Sequence, residues 1–262
     1  MVGAGLLGLV VAATLLAPML APRDWNAQDL ARRLAPPGPG APFGTDSLGR
    51  DVLSRVLFGG RVSLLIGVAA VALSGTAGSA LGLTCGFFGG WWDALVMRVA
   101  DVWQAVPYLT LALGLAVVLR PGLETVVLVL ALGSWTTFAR VVRGQALSAR
   151  ESESVLAARV LGASDLRILR AHLLPQVAGT IVVLCSLLVP STVLFEASLS
   201  FLGLGVQRPT PSWGNMLLDG VDVLGTAWWV SFFPGLAILL AVLAINLVGD
   251  WLRDALDPQL RA

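Results

Sequence analysis

The apolar residues of this chain are gathered into long blocks, and that arrangement restricts the fold more than their total does. The blocks run at about Val2–Ala21, Val62–Phe88, Ala105–Leu119, Thr125–Val142, Val177–Phe195 and Trp228–Val248. A bilayer hydrocarbon core is about 30 Å thick, which about 20 helical residues cross. Backbone groups in lipid must bond internally, so each block is expected to be helical. The sequence therefore predicts an all-α integral membrane protein with six transmembrane helices. Charged residues make up 13% of the 262 residues, against about 25% in a soluble domain. The first block is read as a retained span rather than a signal peptide, because no Lys or Arg precedes Arg23.

Composition also excludes chemistry. All 17 basic residues are Arg and there is no Lys. A P-loop needs its lysine to reach phosphates, and Schiff-base catalysis needs one as well. Any use of ATP must therefore reside in another subunit. The two cysteines, Cys85 and Cys185, stand alone in apolar runs, and His172 is the single histidine. No metal site, catalytic group or cofactor is expected in this chain. The net charge of +1 gives no reason to expect a nucleic-acid partner.

Between the blocks lie the informative segments. Residues 22–61 hold six Arg, four Asp and the run Pro36-Pro37-Gly38-Pro39-Gly40. They read as an aqueous loop, with Asp51 or Ser54 able to cap a short helix near its end. The chain is thus divided at about residue 61, into a first span plus loop (1–61) and a five-helix core (62–262). In the second block Ser74, Gly78, Gly82, Gly86 and Gly90 recur every four residues. That stripe predicts close approach of another helix backbone. Trp91 and Trp92 suit a membrane interface.

Residues 143–172 are polar, and within them the segment 151–175 reads ESESVLAARVLGASDLRILRAHLLP. Val155, Ala158, Leu161, Leu166, Leu169 and Leu173 fall at helical spacing. Gly162 can end one helix, and Ser164 or Asp165 can cap the next. Periodicity alone fits two short helices, either lying on a membrane surface or docking against another protein.

Four segments carry a resemblance. AARVLGAS followed by HLLP resembles the cytoplasmic EAA loop of ABC importer permeases. FGTDSLGRDVLSRVLFGGRVSLLIG (43–67), FEASLSFLGLGVQRPTPSWGNML (195–217) and NLVGDWLRDALDP (246–258) are similar to segments of permeases for dipeptides, oligopeptides and nickel. The resemblance implies a type I (MetI-like) importer fold, in which the loop at about 143–175 couples to a separate ATPase. The coupling residues it implies are Glu151, Glu153, Leu156, Ala157, Ala158, Arg159, Gly162, Ala163, Ser164, Asp165, His172, Leu174 and Pro175. Leu156 stands where the family usually has Glu; Glu151 or Glu153 is a possible substitute.

The resemblance further implies that Asp46, Arg50, Asp51, Gln207, Pro209, Pro211 and Trp213 face an external substrate-binding protein. A stiff plug over the helix ends is the alternative for residues 205–217. Glu196, in an apolar run, is either functional or paired with Arg61 or Arg208. Asp250 and Arg253 read as interface anchors with local ion pairs. The implied partners are a second, related permease subunit in a heterodimer, two ATPase subunits or domains that bind ATP and Mg, the binding protein, and membrane lipid.

The implied cargo is a dipeptide or oligopeptide, with nickel or another small solute as the alternative. An ion-driven secondary transporter and an intramembrane hydrolase are competing classes. The first calls for mid-membrane charges, and the second for a Ser–His pair. Neither pattern is visible. The resemblance places the chain in a bacterial plasma membrane, with both termini and residues 143–175 cytoplasmic. Arginine bias does not choose the side: nine fall with the 143–172 segment (Arg98, Arg140, Arg143, Arg150, Arg159, Arg167, Arg170, Arg253, Arg261). Eight fall opposite (Arg23, Arg32, Arg33, Arg50, Arg55, Arg61, Arg120, Arg208).

Overall fold

The computed structural model describes residues 2–119 and 122–256. The span end expected at Arg120-Pro121 and the last two residues of the 246–258 segment lie outside them. The elements are α1 (Val2–Leu15), α2 (Ala17–Leu20), a 3-10 turn (Leu30–Arg32), α3 (Val52–Phe88), α4 (Gly90–Ala105), α5 (Tyr108–Val118) and α6 (Leu123–Ala149). There follow α7 (Glu153–Val160), α8 (Asp165–Ile168), a π-turn (Leu169–Leu173), α9 (Leu174–Phe201), α10 (Trp213–Val221) and α11 (Trp229–Leu256). Among the described residues β-structure is limited to two isolated bridges.

Among the described residues four helices are long and apolar enough to cross a membrane: Val52–Phe88, Leu123–Ala149, Asp165–Phe201 (α8, the π-turn and α9 run together) and Trp229–Ala255. Val2–Leu15 is a shorter apolar helix. Pro18, in the first turn of α2, has no amide to offer the carbonyl of Thr14, and the chain breaks there. Of the third expected block, α5 contributes only 11 residues.

Helix α3 is the axis of the fold. It begins ten residues before the expected block, at the cap Asp51, whose side chain accepts from the Ser54 amide at 2.7 Å. The cap expected for a short separate helix thus starts a 37-residue one, which runs unbroken through position 61. At 1.5 Å per residue it is about 55 Å long, well beyond the hydrocarbon thickness. Its first turns are buried under the 29–51 loop and α10, with Val52, Met216, Ala227, Trp229 and Val230 forming one core. Phe43 of the loop stacks on Phe233 of α11, centroids 3.8 Å apart.

The small-residue stripe lies against α6. A Cβ at Gly82 would come 2.5 Å from the Ala139 carbonyl oxygen, and one at Gly86 2.6 Å from Ala146 Cβ. At Gly78 it would strike the Trp135 carbonyl. Ser74 is buried on the same side and bonds back to the Val71 carbonyl at 3.1 Å. Gly90 is not in the stripe. It lies past the end of α3, where Gly89 and Gly90, with φ of 64° and 60°, turn the chain into α4.

α4 is a 16-residue helix where Trp91 and Trp92 by themselves point only to an interfacial position. α6 outlasts its expected end at Val142 because Arg143 is neutralised: its guanidinium bonds both carboxylate oxygens of Asp93 on α4, one at 2.5 Å. Neither Asp250 nor Arg253 forms an ion pair with another described residue.

Candidate functional site

Two constructions stand at opposite ends of α3. At the Phe88 end, α6 stops at Ala149 and the chain turns into α7, whose Val155 and Ala158 are buried with Leu83, Phe87, Val142, Ala146, Ile168, Leu173 and Val177. That cluster welds α7 to α3, α6 and α9. Arg159 lies over the Phe87 ring, 5.2 Å from its centroid. Arg150 donates to the Gly86 carbonyl at 3.2 Å.

The opposite side of α7 faces outward. Val160 is 88% and Leu161 86% exposed, and Leu156 is half exposed. Leu161, expected on the buried face, is therefore on the outer one: the helix ends at Val160 and Gly162, with φ of 75°, redirects the chain. Ser164 occupies the N-cap position of α8 in extended conformation, without a side-chain bond. The second short helix is no separate element but the start of the α9 rod.

Pro175, in the first turn of α9, has no amide for the Ala171 carbonyl. The π-turn Leu169–Leu173 immediately precedes it. Half-buried His172 sits in this turn, while Leu174 and Pro175 are exposed. Glu151, Glu153, Ala157, Arg159, Gly162, Ser164 and Asp165 are exposed, Ala163 is half-buried and Ala158 is buried. Glu151, Leu156, Arg159 and Asp165 border one shallow hollow with Phe87 and Arg150.

At the Asp51 end a buried charge network closes over the first turns of α3. Asp46 accepts from Arg50 Nε at 2.7 Å and from Arg55 Nη1 at 2.5 Å. Arg55 Nη1 also reaches Asp219 of α10 at 3.1 Å, and Arg50 Nη2 does so at 3.5 Å. The other Asp219 oxygen holds Arg208. Arg55 and Asp46 are each 1% exposed, so their mutual neutralisation is what permits their burial.

Beside the network lies a cluster built on Glu196. Ser63 and Ser200 donate to its two oxygens at 2.8 and 2.7 Å. Ser63 also accepts from the Trp213 amide at 3.2 Å, and Trp213 Nε1 donates to the Val56 carbonyl at 2.9 Å. Ser212 and Asn215 form a reciprocal capping box at the start of α10.

Of the residues expected to face a binding protein, Gln207 and Pro209 are exposed. Asp46, Arg50, Asp51, Pro211 and Trp213 are buried, so their side chains hold the cap together and offer no contact surface. Glu196 pairs with neither Arg61 nor Arg208. Arg61 donates to the Leu15 carbonyl, and Arg208 is held by Asp219. The sequence reading missed Arg55, Ser63, Ser200 and Asp219. The available signal was the spacing alone, with Arg50 and Arg55 four and nine residues after Asp46; the reading of 22–61 as an aqueous loop gave no reason to expect them buried together.

A profile of the family described as binding-protein-dependent transport system inner membrane component matches residues 78–262. A profile of the N-terminal TM domain of oligopeptide transport permease C matches residues 1–37. The oligopeptide transport system permease protein OppC of Bacillus subtilis is 42% identical, over 100% of this chain and 86% of that protein. The di/tripeptide transport system permease protein DppC of Pseudomonas aeruginosa is 44% identical, over 97% and 86%. Among solved structures, a chain of the inward-facing MetNI methionine ABC transporter aligns with a TM-score of 0.63 and 18% identity, covering 78% of this chain and 96% of that one. The profile match over most of the chain and the full-length relatives make this protein a member of the binding-protein-dependent transport system inner membrane component family, the membrane permease subunits of ABC transporters.

Proposed function

We propose that the chain is the permease half of an ATP-driven importer for dipeptides or oligopeptides. The observation that carries the coupling role is α7: two side chains anchor it in the core while Leu156, Val160 and Leu161 are left facing outward. An apolar ridge on a rigidly held helix is what a separate protein needs to push on. The peptide assignment rests on the names of relatives that align over nearly the whole chain.

In this reading the chain crosses the membrane six times, through α1, α3, α4–α5, α6, the α8–α9 rod and α11. Both termini and residues 143–175 are cytoplasmic, in a bacterial plasma membrane. The α7 ridge, Gly162 and the Ser164–Asp165 corner dock on an ATPase subunit that binds ATP and Mg. The cap at the Asp51 end is external, and Gln207, Arg208 and Pro209 meet the binding protein. A second, related permease completes the pathway. ATP binding drives the change of state only through its unequal affinity for the two conformations.

The test is reconstitution with the neighbouring permease, ATPase and binding proteins, measuring uptake of a labelled tripeptide. ATP-dependent uptake is expected. Uptake of nickel and not of peptide would replace the substrate, and uptake by this chain alone on an ion gradient would overturn the coupled mechanism.

A further inference from the structure

α7 is joined through the chain to α6 at one end and, by way of Gly162, to the α9 rod at the other. Its tie to α3 is made by side chains alone. The apolar cluster around Val155 and Ala158 holds it by burial, which has no direction. Two contacts add direction, and both end on the last turn of α3. Arg150, the C-cap residue of α6, donates from Nη1 to the Gly86 carbonyl at 3.2 Å. Arg159, in the last turn of α7, lies 5.2 Å from the centroid of the Phe87 ring. α3 ends at Phe88, so the Gly86 carbonyl belongs to the turn where intrahelical amides run out. A cation there also meets the negative end of the helix dipole. Arg150 Nη2 stands 3.8 Å from Glu151 Oε1, but that acid's side chain is 76% exposed, and such a pair adds little.

The other end of α3 is held just as directly. Arg55 bonds Asp46 and Asp219, and Ser63 bonds Glu196 and the Trp213 amide. α3 therefore carries the α7 contact at one end and the cap at the other. It contains no proline, whereas α9 and α11 each hold an internal one, Pro190 and Pro234, and prolines are where helices bend. We propose that Arg150 and Phe87 are positioning residues that tie α7 to the end of α3, and that α3 carries displacement between α7 and the cap. By linkage, whatever nucleotide binding does to the cap, occupation of the cap does in equal measure to nucleotide binding. The inference rests on the docking reading above, and adds the helix through which the two ends communicate.

The test uses the assembled importer in lipid vesicles, in a Cys85→Ala, Cys185→Ala background that retains ATP hydrolysis. An environment-sensitive fluorophore on Gln207→Cys, exposed at the cap, reports the response to ATP and Mg. A fluorescence shift is expected in this parent. Arg150→Met keeps the stem and removes the donor, and Phe87→Leu removes the ring under Arg159. Both are expected to retain the co-purified ATPase and its hydrolysis while the shift falls about fivefold. Arg150→Lys, which keeps a cationic donor, is expected to restore most of it. No shift in the parent, or a full shift in both variants, would overturn the tie. Loss of the ATPase from Arg150→Met would place Arg150 on the docking surface and overturn its positioning role. If Arg150→Met is not recovered from membranes, Phe87→Leu decides alone. Val160→Asp tests the docking reading separately. Retention of the ATPase by that variant would remove that reading, while the fluorescence still decides whether α7 and the cap are tied through α3.

Discussion

The Ser63 hydroxyl donates to the Glu196 carboxylate across 2.8 Å, joining α3 to α9 where neither residue is reached by solvent. The two positions are 133 residues apart. Through Ser63 the same contact reaches the Trp213 amide, so one acid fixes two long helices and the first turn of α10. A buried polar cluster of this kind is satisfied only as a whole.

Removing Glu196 should loosen the cap. Glu196→Ala leaves Ser63 and Ser200 without their acceptor, at a cost of about 1–3 kcal/mol. Glu196→Gln keeps one acceptor oxygen and should cost less. Thermal unfolding of the purified complex in detergent should rank wild type above Gln above Ala. Equal midpoints for all three would remove the cluster's structural role.

The charge network predicts a larger effect. Asp219→Ala leaves Arg55, 1% exposed, with Asp46 as its remaining carboxylate and releases Arg208 from α10. Breaking one partner out of a buried pair costs about 3–5 kcal/mol. The variant should be poorly recovered from membranes, whereas Arg23→Ala, which breaks an exposed pair with Asp29, should be recovered normally. Normal recovery of Asp219→Ala would show that the network is dispensable.

The α3–α6 contact should reject a single added methyl group. Gly82→Ala drives a Cβ to 2.5 Å from the Ala139 carbonyl oxygen, and overpacking costs about 1–3 kcal/mol. Gly114→Ala on α5, where nothing lies within 4 Å, is the control. The expected result is a lowered unfolding midpoint for the first variant alone.

Coupling should fail without loss of fold in two variants of the α7 surface. Leu161→Asp, at a position 86% exposed, should insert and lose ATP-driven uptake, and it avoids Gly162, where φ of 75° strains any side chain. Val160→Asp, at a position 88% exposed, should do the same. Uptake at the unaltered rate by both variants would end the docking role of α7.

Some of this was readable in the chain of letters. Block length predicted helices, four of which are long enough to cross, because hydrocarbon admits no unpaired backbone. The four-residue spacing of Ser74, Gly78, Gly82 and Gly86 placed them on one face, and the turn at Gly162 follows from its freedom at positive φ. Helix ends were misjudged where polar residues are neutralised by distant partners. α6 continues past Val142 because Asp93 meets Arg143, and α3 starts at Val52 because its charged first turns are buried by the loop and α10.

The sequence by itself determined that the chain forms apolar helices and which face of α3 could be approached closely, because periodicity and residue size act locally along a helix. Only the tertiary structure decided that Glu196 meets serines rather than arginines, that Arg55 lies between Asp46 and Asp219, and that Arg150 meets the Gly86 carbonyl. Those contacts depend on which helix faces which, and a one-dimensional pattern of polarity carries the direction a side chain leaves its helix but not what stands opposite.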